Sequence, residues 1–470
     1  MAITQQWSDE WNQYIEWDTK YYLQPKVAQK EKAPFPVARA EGAYYIDPNG
    51  KKILDLMNGY ICVNSGQANP QIQEAIKNAL NDFGYVHEGM MTKYRATLSK
   101  MIIEDLLGND GWAKKVRFTS TGSEGVEQAL IIARIYTQRP NIVSQQYSFH
   151  GWTEAAQNCT RVRTWGPLIT SPDTDEVIDQ PLSVPGYLVA PAPLGETMLK
   201  KEPNGRLACV NATERMIKTY GVETVAAVIT EGVFGVANVL PPPEYQIQIR
   251  EMCTRLGILW ICDEVMMGFG RTGKWFTYQH YGIKPDIMCI GKGMNSSHLP
   301  CGGIVLSKEI ADYFEQYRYN SCATHHAHPV ALASAIGNIK FMIENNIPER
   351  SAQMGRYFLS KLTELRDKHR CIGSVGGQGL ILQVEMVKNK QTNEPFIPGD
   401  RDSVYAGDVS GYPSSIILKK CMEKGVFCTG LVPNSLRIAT ALTVTEEQIN
   451  YGINALDYAF THLDQYCTGN

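Results

Sequence analysis

Residues 258–303 contain two apolar runs of strand length, 258–262 and 287–290, and each ends on one ionisable position. The first run stops at Asp263 and Glu264; the second stops at Gly291 and Lys292. Buried strands of a parallel sheet read as unbroken apolar runs. Open α/β sheets bind their ligands at the carboxyl ends of such strands. An acid and a lysine in those places can hold opposite ends of one ligand.

The rest of the chain agrees with an α/β reading. Apolar runs at 116–118, 142–145, 225–230 and 303–306 alternate with helical patterns at 125–136, 211–220 and 245–256. This alternation predicts a mostly parallel sheet covered on both faces. Upstream, a strand pair at 43–46 and 52–56 is joined by the turn Asp47-Pro-Asn-Gly50. An apolar loop at 59–66 leads to helices at 70–83 and 95–107. Residues 164–205 are rich in Pro, Gly and acids and read as a long loop. A helix from 331 towards 345 precedes a smaller α+β segment, in which 377–385 reads as one strand and 392–413 as a polar insert.

Charge and cysteine usage narrow the function. A net charge of −3 over 470 residues gives no electrostatic case for nucleic acid or an anionic membrane. No apolar run is long enough for a membrane span, and the first residues have no basic start followed by an apolar core. The 12 cysteines are scattered without a Cys-x-x-Cys pair. That is the pattern of reduced thiols in a cytoplasmic enzyme, not of a disulfide frame or a zinc site.

Four pieces carry chemistry. After Asp263 comes Glu-Val-Met-Met-Gly-Phe-Gly-Arg-Thr-Gly, a glycine-punctuated loop that lets backbone approach a ligand closely. A lone strand-end Asp is ordinarily a cap or an ion-pair partner, but a buried carboxylate needs a cation, and a protonated pyridine nitrogen would supply one. Lys292 lies between Gly291 and Gly293, where a desolvated amine can form a Schiff base with an aldehyde. The turn Ser120-Thr-Gly-Ser123 precedes a helix, with Thr121 and Glu124 spaced as a capping box. Alone it is a capped helix; with a ligand it is a phosphate cradle of free amides and helix dipole. Finally, Tyr147-Ser-Phe-His-Gly-Trp152 offers an aromatic side chain that is either core or a stacking face.

An aldehyde, a ring nitrogen, a phosphate and a flat face together describe pyridoxal phosphate. In this arrangement the chain closely resembles the class III (omega-amino acid) aminotransferases of pyridoxal-phosphate fold type I. The resemblance covers nearly the whole chain and includes Gly122-Ser123, Phe149-His150-Gly151, Glu231, Asp263 to Gly273, Lys292, Thr324 and Leu436-Arg437. It implies a mostly parallel seven-stranded sheet between helices, plus a smaller α+β domain. Residues 1–60 and 341–470 would form the small domain and 61–340 the cofactor domain.

The resemblance also implies roles. Lys292 binds the cofactor's aldehyde and then moves the proton of the 1,3-shift. Asp263 keeps the ring nitrogen protonated. Ser120, Thr121, Gly122 and Ser123 take the phosphate, Phe149 stacks on the ring, Val265 packs on its other face, and His150 and Glu231 complete the cofactor site. Thr324 reaches the phosphate of a neighbouring subunit, so a homodimer, or a tetramer built from dimers, shares its active sites. Arg437 clamps a substrate carboxylate, while Tyr60, Trp152 and Arg163 shape the substrate side.

Three departures from the GABA- and ornithine-using members limit the donor: Met266 three residues after Asp263, Val236 five after Glu231, and Trp152 directly after Phe149-His150-Gly151. They point to a taurine or β-alanine type of donor with pyruvate or 2-oxoglutarate as acceptor. An epimerase or aminomutase of the same fold and a non-catalytic relative are the competing readings. The cluster His325, His326 and His328 matches no standard metal spacing, and no metal is expected.

Overall fold

The structure is a computed structural model that describes residues 7–25, 29–31, 34–162, 169–170, 177–179, 184–399 and 411–468. Seven strands form its central sheet: β1 Ala113–Thr119, β2 Asn141–Gln145, β3 Tyr187–Ala190, β4 Val225–Glu231, β5 Leu259–Asp263, β6 Ile287–Gly291 and β7 Gly302–Ser307. Across the sheet they lie in the order β1-β7-β6-β5-β4-β2-β3. Neighbours are parallel except at β7, which runs antiparallel to both β6 and β1. The mostly parallel sheet expected from the sequence is therefore present.

Alternation along the strands explains why both faces are covered. Val228, Trp260 and Met288 enter the core on one side. Ile229, Ile261 and Ile287 pack on the other against Val126, Ala129, Leu130 and Ala133 of the helix Gly122–Thr137. Each such buried Leu or Ile contributes about 1.5–3 kcal/mol. The helix Pro243–Leu256, which precedes β5, stops at Gly257 in the left-handed region, the usual way a helix ends before a strand.

Two expectations are corrected. β3 lies inside the stretch read as a long loop. It is an edge strand with Val189 39% exposed, and its short apolar run is framed by Pro185-Gly186 and Pro191 inside a stretch dominated by loop residues. Residues 377–385 are not one strand but a hairpin, Ile372–Gln378 paired with Ile381–Met386. Gly379 makes the turn at φ 57°, where its Cα packs on the carbonyl of Arg271, 2.4 Å from an added Cβ.

Two smaller sheets flank the large one. Arg39–Glu41, Tyr44–Ile46 and Lys52–Asp55 pair in turn, and Val426–Phe427 adds beside Lys52–Asp55, which joins sequence-distant parts of the chain. The expected turn is held by Asp47, whose Oδ1 accepts from the amides of Asn49 and Lys51. The other sheet combines the 372–386 hairpin with Ser435–Ala439 and Thr429–Val432. Among the described residues no helix is long and apolar enough to cross a membrane.

His369 fastens the start of that hairpin to the helix Glu446–Leu463 and the turn after it. Its Nδ1 and Nε2 lie 2.7 Å from Asp464 Oδ2 and Asp457 Oδ1, with the ring 2% exposed. Burial alone would lower the imidazole pKa, but the bonds to the two aspartates outweigh it and the net shift is upward. Burial likewise opposes the aspartates, yet His369, with Lys368 on Asp457 and Cys371 on Asp464, holds both below the usual range. The raised imidazole value contributes stability that is full below about pH 6.5 and lost as pH rises through the shifted value. The lowered carboxyl values contribute stability that is lost as pH falls through them. His369→Gln is therefore expected to destabilise by roughly 1.5–3 kcal/mol near neutral and mildly acidic pH, and by less at about pH 9. Thermal unfolding at the two pH values checks this; an equal loss at both would exclude the charged clamp.

Candidate active site

The carboxyl ends of β1, β2, β4, β5 and β6 open on one side of the sheet, and the chemistry-bearing residues gather there. Asp263 is the last residue of β5, 5% exposed, in register with Glu231 on β4 and Cys289 on β6. Its Oδ1 accepts from the Val265 amide at 3.0 Å, and its Oδ2 lies 2.7 Å from His150 Nδ1. An ionised carboxylate can only accept, so the shared proton belongs to His150 Nδ1. The His150 amide in turn donates to Thr160 Oγ1.

Glu231, beside them, is buried, and its carboxylate accepts from two backbone amides. Its Oε1 accepts from the Phe149 amide at 2.8 Å and its Oε2 from the Gly235 amide at 3.2 Å. Burial pushes this carboxyl up to about 7; the Asp263 charge acts in the same direction, while His150 and the two amides oppose it. The adjacent Glu264 points to the opposite face of β5. It accepts from the Tyr278 amide, and burial raises it to about 7 as well.

Lys292 follows β6 in the left-handed region, φ 41°, immediately after Gly291. Among the described residues no hydrogen bond holds its Nζ. Burial lowers its pKa, Cys62, Asp263 and Glu231 pull the other way, and Arg437 reinforces the lowering. The turn beneath it is fixed by Asn338, whose Nδ2 donates to the carbonyls of Gly293 and Met294 at 2.9 and 3.0 Å.

The Ser120–Ser123 turn docks tightly against these elements. A Cβ on Gly122 would lie 2.6 Å from Val265 Cγ1, and one on Gly151 would lie 2.4 Å from Ser123 Oγ. Only glycine permits either contact. The Trp152 amide donates to Ser123 Oγ. The expected capping box forms in altered shape: Thr121 Oγ1 accepts from the Glu124 amide, but Glu124 Oε2 reaches back to Ser120 N, one residue earlier. With the Glu124 amide taken by Thr121, the Gly122 and Ser123 amides that open the helix Gly122–Thr137 have no intrahelical acceptor and remain able to bind an anion.

The structure therefore brings together Ser120, Thr121, Gly122, Ser123, Phe149, His150, Glu231, Asp263, Val265 and Lys292. Arg437 is buried and donates to the Gly235 carbonyl. Tyr60 and Trp152 are exposed. Thr324 lies exposed on a turn and makes no hydrogen bond with Ser120–Ser123. Arg163 lies outside the described residues. His326 sits between Glu88 and Glu124, whose oxygens lie 3.9 and 3.5 Å away. Among the described residues no group of three or more His, Cys, Asp or Glu side chains stands where it could hold a metal ion.

Sequence reasoning missed Cys62 and the buried polar residues beneath the loop that carries it. Asn64 Nδ2 donates to the Phe269 carbonyl at 2.8 Å, and a Cβ on Gly293 would strike Asn64 Nδ2 at 2.3 Å. The available signal was the Gly-Arg-Thr-Gly end of the 263–273 motif, because Arg271 binds Asn64.

Residues 26–460 match the family model described as Aminotransferase class-III. The chain is 44% identical to an S-selective transaminase from Arthrobacter sp. with alanine bound, with 97% of this chain and 98% of that one covered and a TM-score of 0.94. It is 28% identical to the taurine:2-oxoglutarate aminotransferase from Bifidobacterium kashiwanohense in complex with PLP and glutamate, covering 97% and 98% at a TM-score of 0.84. It is 32% identical over 377 residues to the putrescine–pyruvate aminotransferase of Pseudomonas aeruginosa, covering 78% of this chain and 80% of that protein.

Proposed function

The chain belongs to the class III aminotransferases, enzymes that use pyridoxal phosphate to pass an amino group from a donor to a 2-oxoacid, and on that footing we propose that its donor is a primary amine with a short or apolar substituent and its acceptor is pyruvate. One observation carries the reading. Arg437 is a buried cation whose charge acts on Lys292, and the position five after Glu231 is the buried, apolar Val236. One cation suits an acceptor with a single carboxylate. The apolar Val236 offers no pairing to a second acid such as that of 2-oxoglutarate. The 44% identity to an S-selective transaminase supports a donor whose amine-bearing carbon is stereogenic, which taurine and β-alanine lack.

The site fits the cofactor. A strand-end amine that no described residue hydrogen-bonds suits an aldehyde, a buried carboxylate suits a pyridine nitrogen, and the glycine-lined turn at Gly122 leaves backbone open to a phosphate. Lys292 and Asp263 would hold the two ends of the ring, Val265 and Phe149 its faces, and Ser120, Thr121, Gly122 and Ser123 the phosphate. Bound there, pyridoxal phosphate supplies an electron-accepting ring. Lys292 Nζ, kept nearer neutrality by burial, takes the proton from the carbon that bears the amino group. Asp263 holds a proton at the nitrogen facing it, and His150 keeps that carboxylate in place. Arg437 orients the carboxylate of the 2-oxoacid, bidentately as a guanidinium suits.

The two half-reactions alternate in a ping-pong order in this reading. The exposed Thr324 is available to a second copy of the chain in a homodimer. All 12 cysteines are free, as a reducing compartment permits, and we place the enzyme in the cytoplasm. The test is a donor panel of aliphatic and aryl amines, taurine, β-alanine, GABA and ornithine, each with pyruvate and with 2-oxoglutarate. The amines with pyruvate are expected to give the highest kcat/KM. Exclusive use of GABA, ornithine or 2-oxoglutarate would overturn the assignment, and amine migration or racemisation without any 2-oxoacid would select the mutase reading.

A further inference from the structure

Arg271 is 0% exposed, yet among the described residues no carboxylate bonds to its guanidinium. An arginine in such a place is held by what it organises, because a buried charge is costly unless its donors are satisfied. Its Nη1 donates to the carbonyls of Leu380 and Thr440 at 3.0 and 2.5 Å, and its Nη2 to Asn64 Oδ1 at 2.8 Å. With the Asn58 amide oriented to satisfy its neighbours, its oxygen also accepts from Nη2 at 2.7 Å. Burial lowers this group to about 9, with Cys62 and Asp55 opposing the shift, so it stays charged at neutral pH.

These acceptors lie on three segments that are far apart in sequence. Asn58 and Asn64 bracket the loop that carries Tyr60 and Cys62. Thr440 directly follows the strand Ser435–Ala439, which holds Arg437. Leu380 is in the turn of the hairpin whose second strand pairs Gln383 with Arg437. The loop needs such fastening, because Asn58, Gly59 and Ile61 all have φ between 54° and 63°, a region unfavourable to non-glycine residues. Asp55 holds its other side, accepting from the amides of Met57, Asn58 and Gly59 at 2.8, 3.0 and 2.7 Å.

We propose that Arg271 is a positioning residue that fixes the loop of Tyr60 and Cys62 against the strand of Arg437, two segments whose Cys62 and Arg437 act on Lys292, and through that placement sets substrate preference. Lysine cannot replace it: three donors on a point charge do not span acceptors that a planar five-donor fork reaches together. The inference rests on the roles proposed above for Lys292 and Arg437.

The experiment uses the full-length holoenzyme and the variants Arg271→Lys and Asn58→Ala. The readouts are visible absorbance of the bound cofactor, KM and kcat for pyruvate and for paired short and bulky amines, and amide hydrogen exchange at residues 57–64. Arg271→Lys is expected to stay coloured, raise KM for pyruvate by roughly tenfold, and shift the short-to-bulky kcat/KM ratio by a similar factor. Exchange at residues 57–64 should accelerate. Asn58→Ala, which keeps the guanidinium and its other acceptors, should move the same parameters in the same direction by about threefold, and it carries the test if Arg271→Lys does not fold. Unchanged KM values and donor ranking, with only a lower unfolding temperature, would overturn the proposal. A wild type that stays colourless with added pyridoxal phosphate would instead overturn the reading of Lys292 itself.

Discussion

Lys292→Ala is expected to lower kcat with every donor by at least about 10⁴-fold, the upper range for loss of a positioned base. Two functions leave together: the amine that anchors the cofactor and the base that moves the substrate proton. The fold should survive, because the surrounding turn is pinned by Asn338 on the carbonyls of Gly293 and Met294 and not by the lysine side chain. An alanine at φ 41° is no worse placed than the lysine it replaces. Steady-state turnover, with visible absorbance as an independent readout, decides the matter. Activity within tenfold of the wild type would remove Lys292 from the chemistry.

The second large effect belongs to Asp263. Asp263→Asn keeps the size of the side chain and an oxygen for the Val265 amide, and removes the negative charge. Breaking one side of a buried charged pair costs about 2–5 kcal/mol, or roughly 30- to 5,000-fold in rate. The loss should appear in kcat of the donor half-reaction, since electron withdrawal is needed there whatever the donor. A change below about threefold would mean that the carboxylate serves only His150 and the strand end.

Legibility in the sequence followed how local each signal is. The central strands β4, β5 and β6 announced themselves most clearly because residues buried on both faces leave uninterrupted apolar runs; β4 is buried along its whole length. β3 did not, because its apolar run Tyr187 to Ala190 lies between Pro185-Gly186 and Pro191 in a stretch dominated by loop residues. The 372–386 hairpin was hidden because its turn depends on one glycine conformation inside an apolar stretch. In the site, the acid and the lysine were legible from their strand ends. The partnership of His150 with Asp263 spans 113 residues and depends on the sheet order, which no local spacing encodes. Arg271 was visible as a motif letter but not as a hub, because its acceptors are mostly carbonyls and amides that any sequence possesses.

The contact between Gly122 and Val265 divides the surroundings of Asp263 and Lys292 into two kinds of wall. On the side where strands and turns press together, the space is already taken by backbone and a branched side chain, and no donor, however useful, can select a larger residue at Gly122. Tyr60 and Trp152 stand at 57% and 50% exposure, with room for their replacements. A search for variants with new donors thus has an editable rim around an unalterable floor, and diversity spent on the floor is spent on unfolded or cofactor-free protein.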